Sequence, residues 1–443
     1  MANTSTGSDN FSAAFAAVQS RPDAGPDWLR SLRETAMLNF QETGFPVQRK
    51  GNEAWKYTDL RALAQTSFAY PETPGSVSPS RLASILPFDD GFARITFVDG
   101  RFAAELSTSL DLPGVTISPL SRALGSNGAS LRQHFGPGQD RPEDSFTSLN
   151  TALFQDGALI EVTGEIDTPL HVVYITSDQP GPIAVFPRTI IIARPMSRVA
   201  LIESYVSAGD GQSLTDAVTD IVVEDGATVD HYRLLVENPK SYHVGRLNTV
   251  LRRDSTFQSL VYETGSHLGR LDAVTLFDDT GSSASLRGLY ITSGDQHIDN
   301  LITIDHAKPH NTSRLSYKGI LDGKSSAVFG GTVFVRKGAD KTDSHQQDKN
   351  LLLSEEAVVN SKPALEIYAD DVKAGHGATA GAVADEALFY MQSRGIDAET
   401  AMRLLVQGFA SEILDAVAIE PLRLWLEQQA LNALPRFEQT ISE

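Results

Sequence analysis

The sequence predicts a mainly β protein: a right-handed parallel β-helix, or solenoid, flanked by N-terminal and C-terminal α-helical regions. Three observations predict it. Between residues 146 and 372, short runs rich in β-branched and aromatic residues, among them ALIEVTG, HVVYITS, RTIIIAR, TDIVVED and NLITIDH, recur between Gly, Asp, Ser and Asn at roughly 8–12-residue intervals. Runs such as RTIIIAR carry consecutive apolar residues rather than strict alternation, as expected of strands with protein on both faces. Helical periodicity is confined to the two ends of the chain. A β-sandwich shares this cadence, but stacked turns contact only their neighbours and can grow to this length, whereas a single sandwich would be strained by it.

Taken in order, residues 1–90 form an N-terminal helical region with a linker. PDWLRSLRETAMLNF places Leu29, Leu32, Ala36, Met37 and Phe40 at spacings of three and four, with Pro26 and Asp27 at the start and Gly44 at the end. YPETPGSVSPSRL, residues 70–82, reads as a linker because Pro fixes φ and cannot donate to a ladder. Residues 91–145 hold a hairpin and a connecting segment: ARITFVDGRFAAEL is strand, Asp99-Gly100 turn, strand. The β-helix core takes 146–380, and 381–443 return to a helical period. There Asp385 can cap one helix that stops at Gly395. Asp397 can cap a second with Ala401, Leu404, Leu405, Gly408, Phe409 and Ile413 on one face, and a third begins at Pro421 with Leu422, Trp425 and Leu426.

Composition excludes several functions. The 443 residues carry 37 basic and 56 acidic side chains, a formal charge of −19, which repels nucleic-acid phosphates and anionic membrane surfaces. The N-terminus has no basic segment followed by an apolar run, and no stretch approaches the ~20 apolar residues that cross a bilayer, so a cytoplasmic protein is expected. The chain has no cysteine. Disulfides, thiolate metal sites, persulfide chemistry and a cysteine nucleophile are excluded together, and any soft-metal role must borrow thiolates from another chain.

Motif chemistry narrows the field further. There is no G-x-x-x-x-G-K-[ST] phosphate loop, so this chain is not expected to hydrolyse nucleotides itself, no H-E-x-x-H and no G-x-S-x-G. In DHAKPH, Pro309 predicts a loop with His306 and His310 solvated. Paired acids, Asp278 with Asp279 and Asp370 with Asp371, raise the alternative of a polysaccharide-active β-helix enzyme. Adjacent strand residues point to opposite faces, however, so neither pair can flank one bond. GHGATAG, 375–381, reads as a strand-to-helix turn using glycine for unusual φ. Within it His376 has small neighbours that leave the ring accessible. It is either a solvated side chain or a ligand, neutral imidazole being a good donor to iron where His replaces Cys.

GNEAWKYTDL (51–60), FVDGRF (97–102), LNTALFQDGALIEV (149–162), HQQDKNLLLS (345–354), LEIYADDVKAGHGAT (365–379) and LFYMQSRGI (388–396) together resemble, in order, the SufB/SufD family of iron–sulfur cluster scaffold proteins. The absence of cysteine favours the SufD side of that family. The resemblance implies a right-handed parallel β-helix, a heterodimer with SufB formed through it, and a SufC ATPase bound by the C-terminal helices. It implies no catalysis by this chain, and an iron–sulfur cluster held transiently and shared with SufB. It leaves room for a reduced flavin on the complex and for a homodimer of the isolated chain. The D-D-V-K-x-x-H-G-A-T histidine falls on His376, with Ala374 where some relatives carry cysteine. His345, Asp370 and Asp371 are candidates to orient the imidazole. Phe389, Arg394, Leu405 and Phe409 are candidates to meet SufC, or else to fill their own bundle, while Trp55 and Tyr57 read as packing aromatics.

Overall fold

The computed structural model describes residues 5–20, 25–108, 110–135 and 144–434. The chain opens with helices α1 (Ser5–Gln19), α2 (Asp27–Thr43), α3 (Arg61–Gln65) and α4 (Pro79–Ile85). The expected linker is therefore shorter than 70–82. Ser78 accepts a hydrogen bond from the Arg81 N–H and Pro79 occupies the first turn, so Ser-Pro starts a helix rather than extending a loop. Strands β1 (Ala93–Val98) and β2 (Arg101–Phe102) form the expected hairpin, with Asp99 and Gly100 both at positive φ, 47° and 77°. Next come β3 (Val115–Pro119), α5 (Leu120–Leu131) and α6 (Ser145–Leu153), the last capped by Asp144. The segment from 146 is thus helical before the solenoid strands begin at Gly157.

The core follows as β4 (Gly157–Val162), β5 (Leu170–Thr176), β6 (Ile183–Val185), β7 (Arg188–Ala193), β8 (Arg198–Ser207), β9 (Ser213–Val223) and β10 (Thr228–Glu237). It continues with β11 (Tyr242–Leu251), β12 (Thr256–Gly265), β13 (Leu268–Phe277), β14 (Ser283–Thr292) and β15 (His297–His306). The last strands are β16 (Thr312–Leu321), β17 (Ser326–Val335), β18 (Thr342–Leu352), β19 (Val358–Ile367) and β20 (Val372–Gly381). Helices α7 (Asp385–Ser393), α8 (Ala398–Leu414) and α9 (Glu420–Ala433) complete the order.

From β8 onward successive strands alternate between two parallel sheets: β5-β8-β10-β12-β14-β16-β18-β20 on one side and β7-β9-β11-β13-β15-β17-β19 on the other. This is a parallel β-solenoid, as the cadence predicts.

Three apolar layers hold it together. The lumen is filled by inward rows such as Val229, Phe257 and Ala284 on one sheet and Ile302, Phe329 and Val333 on the other. Outside the second sheet, α1, α2 and α6 cover Ile190, Ile192 and Leu214. Outside the first, α4, α8 and α9 cover Ile202, Tyr262, Leu289 and Ile320. Arg188–Ala193 is buried along its whole length for this reason, which explains why its apolar residues do not alternate.

Packing in the lumen is a large-small match between turns. Gly288 and Tyr317 are in register, as are Tyr290 and Gly319. A Cβ on Gly288 would lie 2.1 Å from the Tyr317 ring, and one on Gly319 would lie 2.3 Å from the Tyr290 ring.

Three local expectations fail. His306 is not solvated: it ends β15 at an inward position in register with Phe277 and Val335, stacks on Phe277 at 4.3 Å and meets Ser313 at 2.9 Å. Pro309 does mark a loop, but the strand runs further than the proline suggested. On α8 the buried residues are Ala401, Val406, Ala410, Ile413 and Leu414, whereas Leu404 and Gly408 are exposed. The helix is apolar over so wide an arc that its sequence period leaves the buried face ambiguous. Asp397 caps it as expected, while Asp385 lies in the first turn of α7 rather than at its cap.

Candidate functional site at the open end of the solenoid

Each sheet ends in a strand with a neighbour on one side only, β19 in one and β20 in the other. Both are largely exposed. The outer backbone groups of a last strand have no ladder to join, so this end offers two parallel edges for pairing.

GHGATAG is part of β20 and not a turn. Gly375, Gly377 and Gly381 are absent from the positive-φ glycines, and β20 pairs in register with β18 along its length. Ladder hydrogen bonds to β18 outweigh the conformational freedom of glycine here, and the small residues leave the terminal strand nearly bare.

That register decides where His376 points. His376 pairs with Gln346, which pairs with Leu315 and then Leu286. Leu286 and Leu315 belong to the lumen core, so His376 continues an inward row. Being on the last strand, it is nevertheless exposed. On the same face of β20 its companions are Val372, Ala374, Ala378 and Ala380, none with the reach of an imidazole.

The three residues read as possible orienters are placed differently. His345 pairs with Gly375, one residue out of phase with His376, so it faces outward, where it meets Asp343 at 3.3 Å. Asp371 lies before β20 and forms an ion pair with Lys341, whose backbone N–H also donates to the Asp371 carbonyl at 2.6 Å. Asp370 is exposed beside it. None of the three lies in the inward row of His376.

What does lie behind His376 was not identified from the sequence. The inward face of β18 carries Thr342, Ser344, Gln346, Asp348 and Asn350, all buried, and the last three stand where β16 has Leu315, Tyr317 and Gly319. Gln346 crosses the lumen and donates to the Ala364 carbonyl at 3.0 Å. Asn350 donates to Asp348 at 2.8 Å and accepts from Tyr290. Burial pushes the Asp348 carboxyl up to about 6, against hydrogen bonds from Ser361 and Asn350. The only sequence signal is the run HQQDKN, polar on both faces of a strand.

Other constellations are structural. Asp278 and Asp279 are ion-paired with Arg252 and Arg253. Ser204, His171 and Asp89 stand in triad order, at 2.7 and 2.9 Å, but all are buried, with the Phe88 ring 5.4 Å from the imidazole and Trp425 packed on Phe88. A substrate has no path to that serine. Trp55 is buried between Phe146 and the Arg270 guanidinium, whereas Tyr57 is exposed. Among the described residues, no three His, Asp or Glu side chains converge to hold a metal ion, and no helix is long and apolar enough to cross a membrane.

Residues 174–409, most of the solenoid and part of the C-terminal helices, match the family described as SUF system FeS cluster assembly, SufBD core domain. The chain belongs to the SufBD family. Residues 22–172 match the SufBD protein N-terminal region, so the two matches span the helical cap and the solenoid. Within the SufBD family the chain is SufD-like. It is 31% identical over 385 residues to the iron-sulfur cluster assembly protein SufD of Escherichia coli, covering 86% of this chain and 87% of that protein. It is 29% identical over 429 residues to a SufBD family protein of Synechocystis, covering 90% and 94%. Against SufD of Bacillus subtilis it is 25% identical over 407 residues, covering 89% and 91%.

The residues read as possible ATPase contacts divide between two helices of this SufBD chain. Phe389 and Arg394 are exposed on and just after α7, where Arg394 lies 5.2 Å from the ring of the exposed Tyr390. Leu405 and Phe409 are half-buried on α8.

Proposed function

We propose that this chain is a non-catalytic scaffold subunit of a SUF iron–sulfur cluster assembly complex. It pairs through the open end of its solenoid with SufB, carries a SufC ATPase on its C-terminal helices, and lends His376 to a nascent cluster shared across the junction. The observation that carries this reading is the position of His376, exposed on the terminal strand yet in the row that faces the lumen. A second solenoid docking on β19 and β20 covers that ring and completes both sheets by strand addition.

The division of labour follows from composition. A chain without cysteine supplies nitrogen and oxygen donors only, so thiolates and sulfide come from its partner. Without a phosphate loop, the ATP-dependent step belongs to another subunit. The exposed Phe389 and Tyr390, with Arg394 beside them, give α7 an apolar and cationic surface that its own bundle does not cover.

The test is co-expression with a SufB and a SufC, followed by anaerobic purification and measurement of bound iron and sulfide. Wild-type chain co-elutes with both partners. His376→Ala is expected to keep the complex and lose cluster content; unchanged content removes the role of His376, and failure of the wild-type chain to associate removes the scaffold reading.

A further inference from the structure

Which backbone groups of a terminal strand face outward is fixed by the hydrogen bonds it makes behind it. At the start of β19 the Val358 N–H donates to the Ser325 carbonyl at 3.0 Å, and just past its end the Tyr368 N–H donates to the Val335 carbonyl at 2.8 Å. Between them β19 pairs with β17 without a bulge. Successive residues of a strand turn their N–H and C=O groups to opposite sides. Val359, Ser361, Pro363, Leu365 and Ile367 therefore present theirs to the free edge. Pro363 stands in the middle of this row and has no N–H. It leaves donors at Val359 and Ser361 on one side of it and at Leu365 and Ile367 on the other.

β20 has no such break. On β18 the Asp343 N–H donates back to Asn311 at 3.0 Å, and just past the strand the Leu353 N–H donates to Leu321 at 2.8 Å. The same alternation, carried through the β18–β20 register, turns Val372, Ala374, His376, Ala378 and Ala380 to the free edge, each with its N–H. At the opposite end each sheet finishes in a shorter antiparallel strand, β2 or β3. A second copy of this chain that adds strands thus meets the first end to end on β19 and β20. Two copies closed in this way are related by a two-fold axis, which sets facing strands antiparallel and repeats every contact. In an antiparallel ladder, facing residues exchange N–H···O=C bonds. A ladder that runs over Pro363 loses one of them and leaves the opposing carbonyl without a donor, and the symmetric pair loses it twice.

We propose that Pro363 limits strand addition at the open end, weakening closure of the solenoid on a second copy of this chain, a role that rests on reading this end as a docking face. Edge strands carry proline for this purpose, because a missing donor spoils a ladder without disturbing the sheet behind it. The Pro363 side chain faces the lumen in register with Gly331, so packing against that glycine is the rival explanation.

Sedimentation equilibrium on the full chain, which gives the dimer dissociation constant, tests this. Pro363→Ala restores the N–H and should tighten self-association at least about fivefold, with slowed hydrogen exchange of the added amide in the dimer. Ala378→Pro removes an outward N–H from β20 at an exposed position. It follows Gly377, which tolerates the restriction that proline places on the residue before it, and it should weaken self-association by a similar factor. Opposite shifts in the two variants support the inference. A dissociation constant that is unchanged or larger in Pro363→Ala overturns it, and a lowered urea midpoint beside that result assigns Pro363 to lumen packing. Co-elution of the wild-type chain with SufB is read separately, so the docking face stands or falls on its own result.

Discussion

Lys318 and Glu412 meet at 2.6 Å across the seam between β16 and α8. The ammonium also donates to the Phe409 carbonyl at 2.8 Å and lies 4.2 Å from the centre of the Phe409 ring. The two ends differ in burial, the lysine side chain being 2% exposed and the glutamate 59%. Removing the carboxylate strands a buried cation, whereas removing the lysine releases a carboxylate into water. Glu412→Gln is therefore expected to loosen α8 by about 2 kcal/mol and Lys318→Met by about 1 kcal/mol. Amide hydrogen exchange across 398–414 reads both, and the reverse order would show that the carboxylate does not anchor the helix.

The Gly288–Tyr317 and Tyr290–Gly319 matches make a second prediction. A methyl group at either glycine overlaps a buried aromatic ring that is held by turns on both sides. Gly288→Ala and Gly319→Ala should each destabilise the solenoid by about 1–3 kcal/mol, measured by urea denaturation. Gly377→Ala, where an added Cβ meets nothing within 4 Å, should change it by less than about 0.5 kcal/mol.

Most of the architecture was legible because the solenoid repeats one physical pattern: an inward apolar row, an outward row, and a Gly, Asp or Asn corner. Where a strand departs from that pattern the sequence misleads. β18 is polar on both faces at 345–350 and carries no alternation to detect, although it pairs over its whole length. β20 reads as a turn because three of its ten residues between Val372 and Gly381 are glycine, yet register with β18 outweighs local preference. The two departures are adjacent strands, and together they form the candidate site. His376 was found by its accessible setting and its motif; Asp348 becomes visible only once register shows which residues of HQQDKN face inward.

Burial of His306 gives the solenoid a pH dependence. Its imidazole is pulled down to about 4, chiefly by burial, against about 6.5 in an unfolded chain. Between these values the unfolded state binds the proton and the folded state does not, so stability rises with pH from about 4 to 6.5. The window is worth up to about 3 kcal/mol. His306→Gln, which can still bond Ser313, should lose this contribution, so that its denaturation midpoints shift relative to wild type toward a more negative slope across the window; an unaltered slope would assign the dependence to other groups.

Glu263 acts in the opposite sense over nearly the same range. It is buried in the lumen on β12 and accepts from Asn300 at 2.6 Å. Burial pushes its carboxyl up to about 7, with Asn300 and the Arg233 guanidinium pulling the other way. The folded state therefore keeps a proton that the unfolded state has released, and stability falls as pH rises from about 4.5 through 7. Glu263→Gln keeps an acceptor for Asn300 and carries no charge. It should match wild type near pH 4 and exceed it at pH 8.5 by up to about 3 kcal/mol. Asp348, with its carboxyl pushed up to about 6, acts in the same sense as Glu263, and both oppose His306 between pH 4.5 and 6.5. Relative to wild type, the urea midpoints of His306→Gln should fall more steeply with pH through that interval and those of Glu263→Gln less steeply; equal slopes in the two variants would show that these groups do not control it.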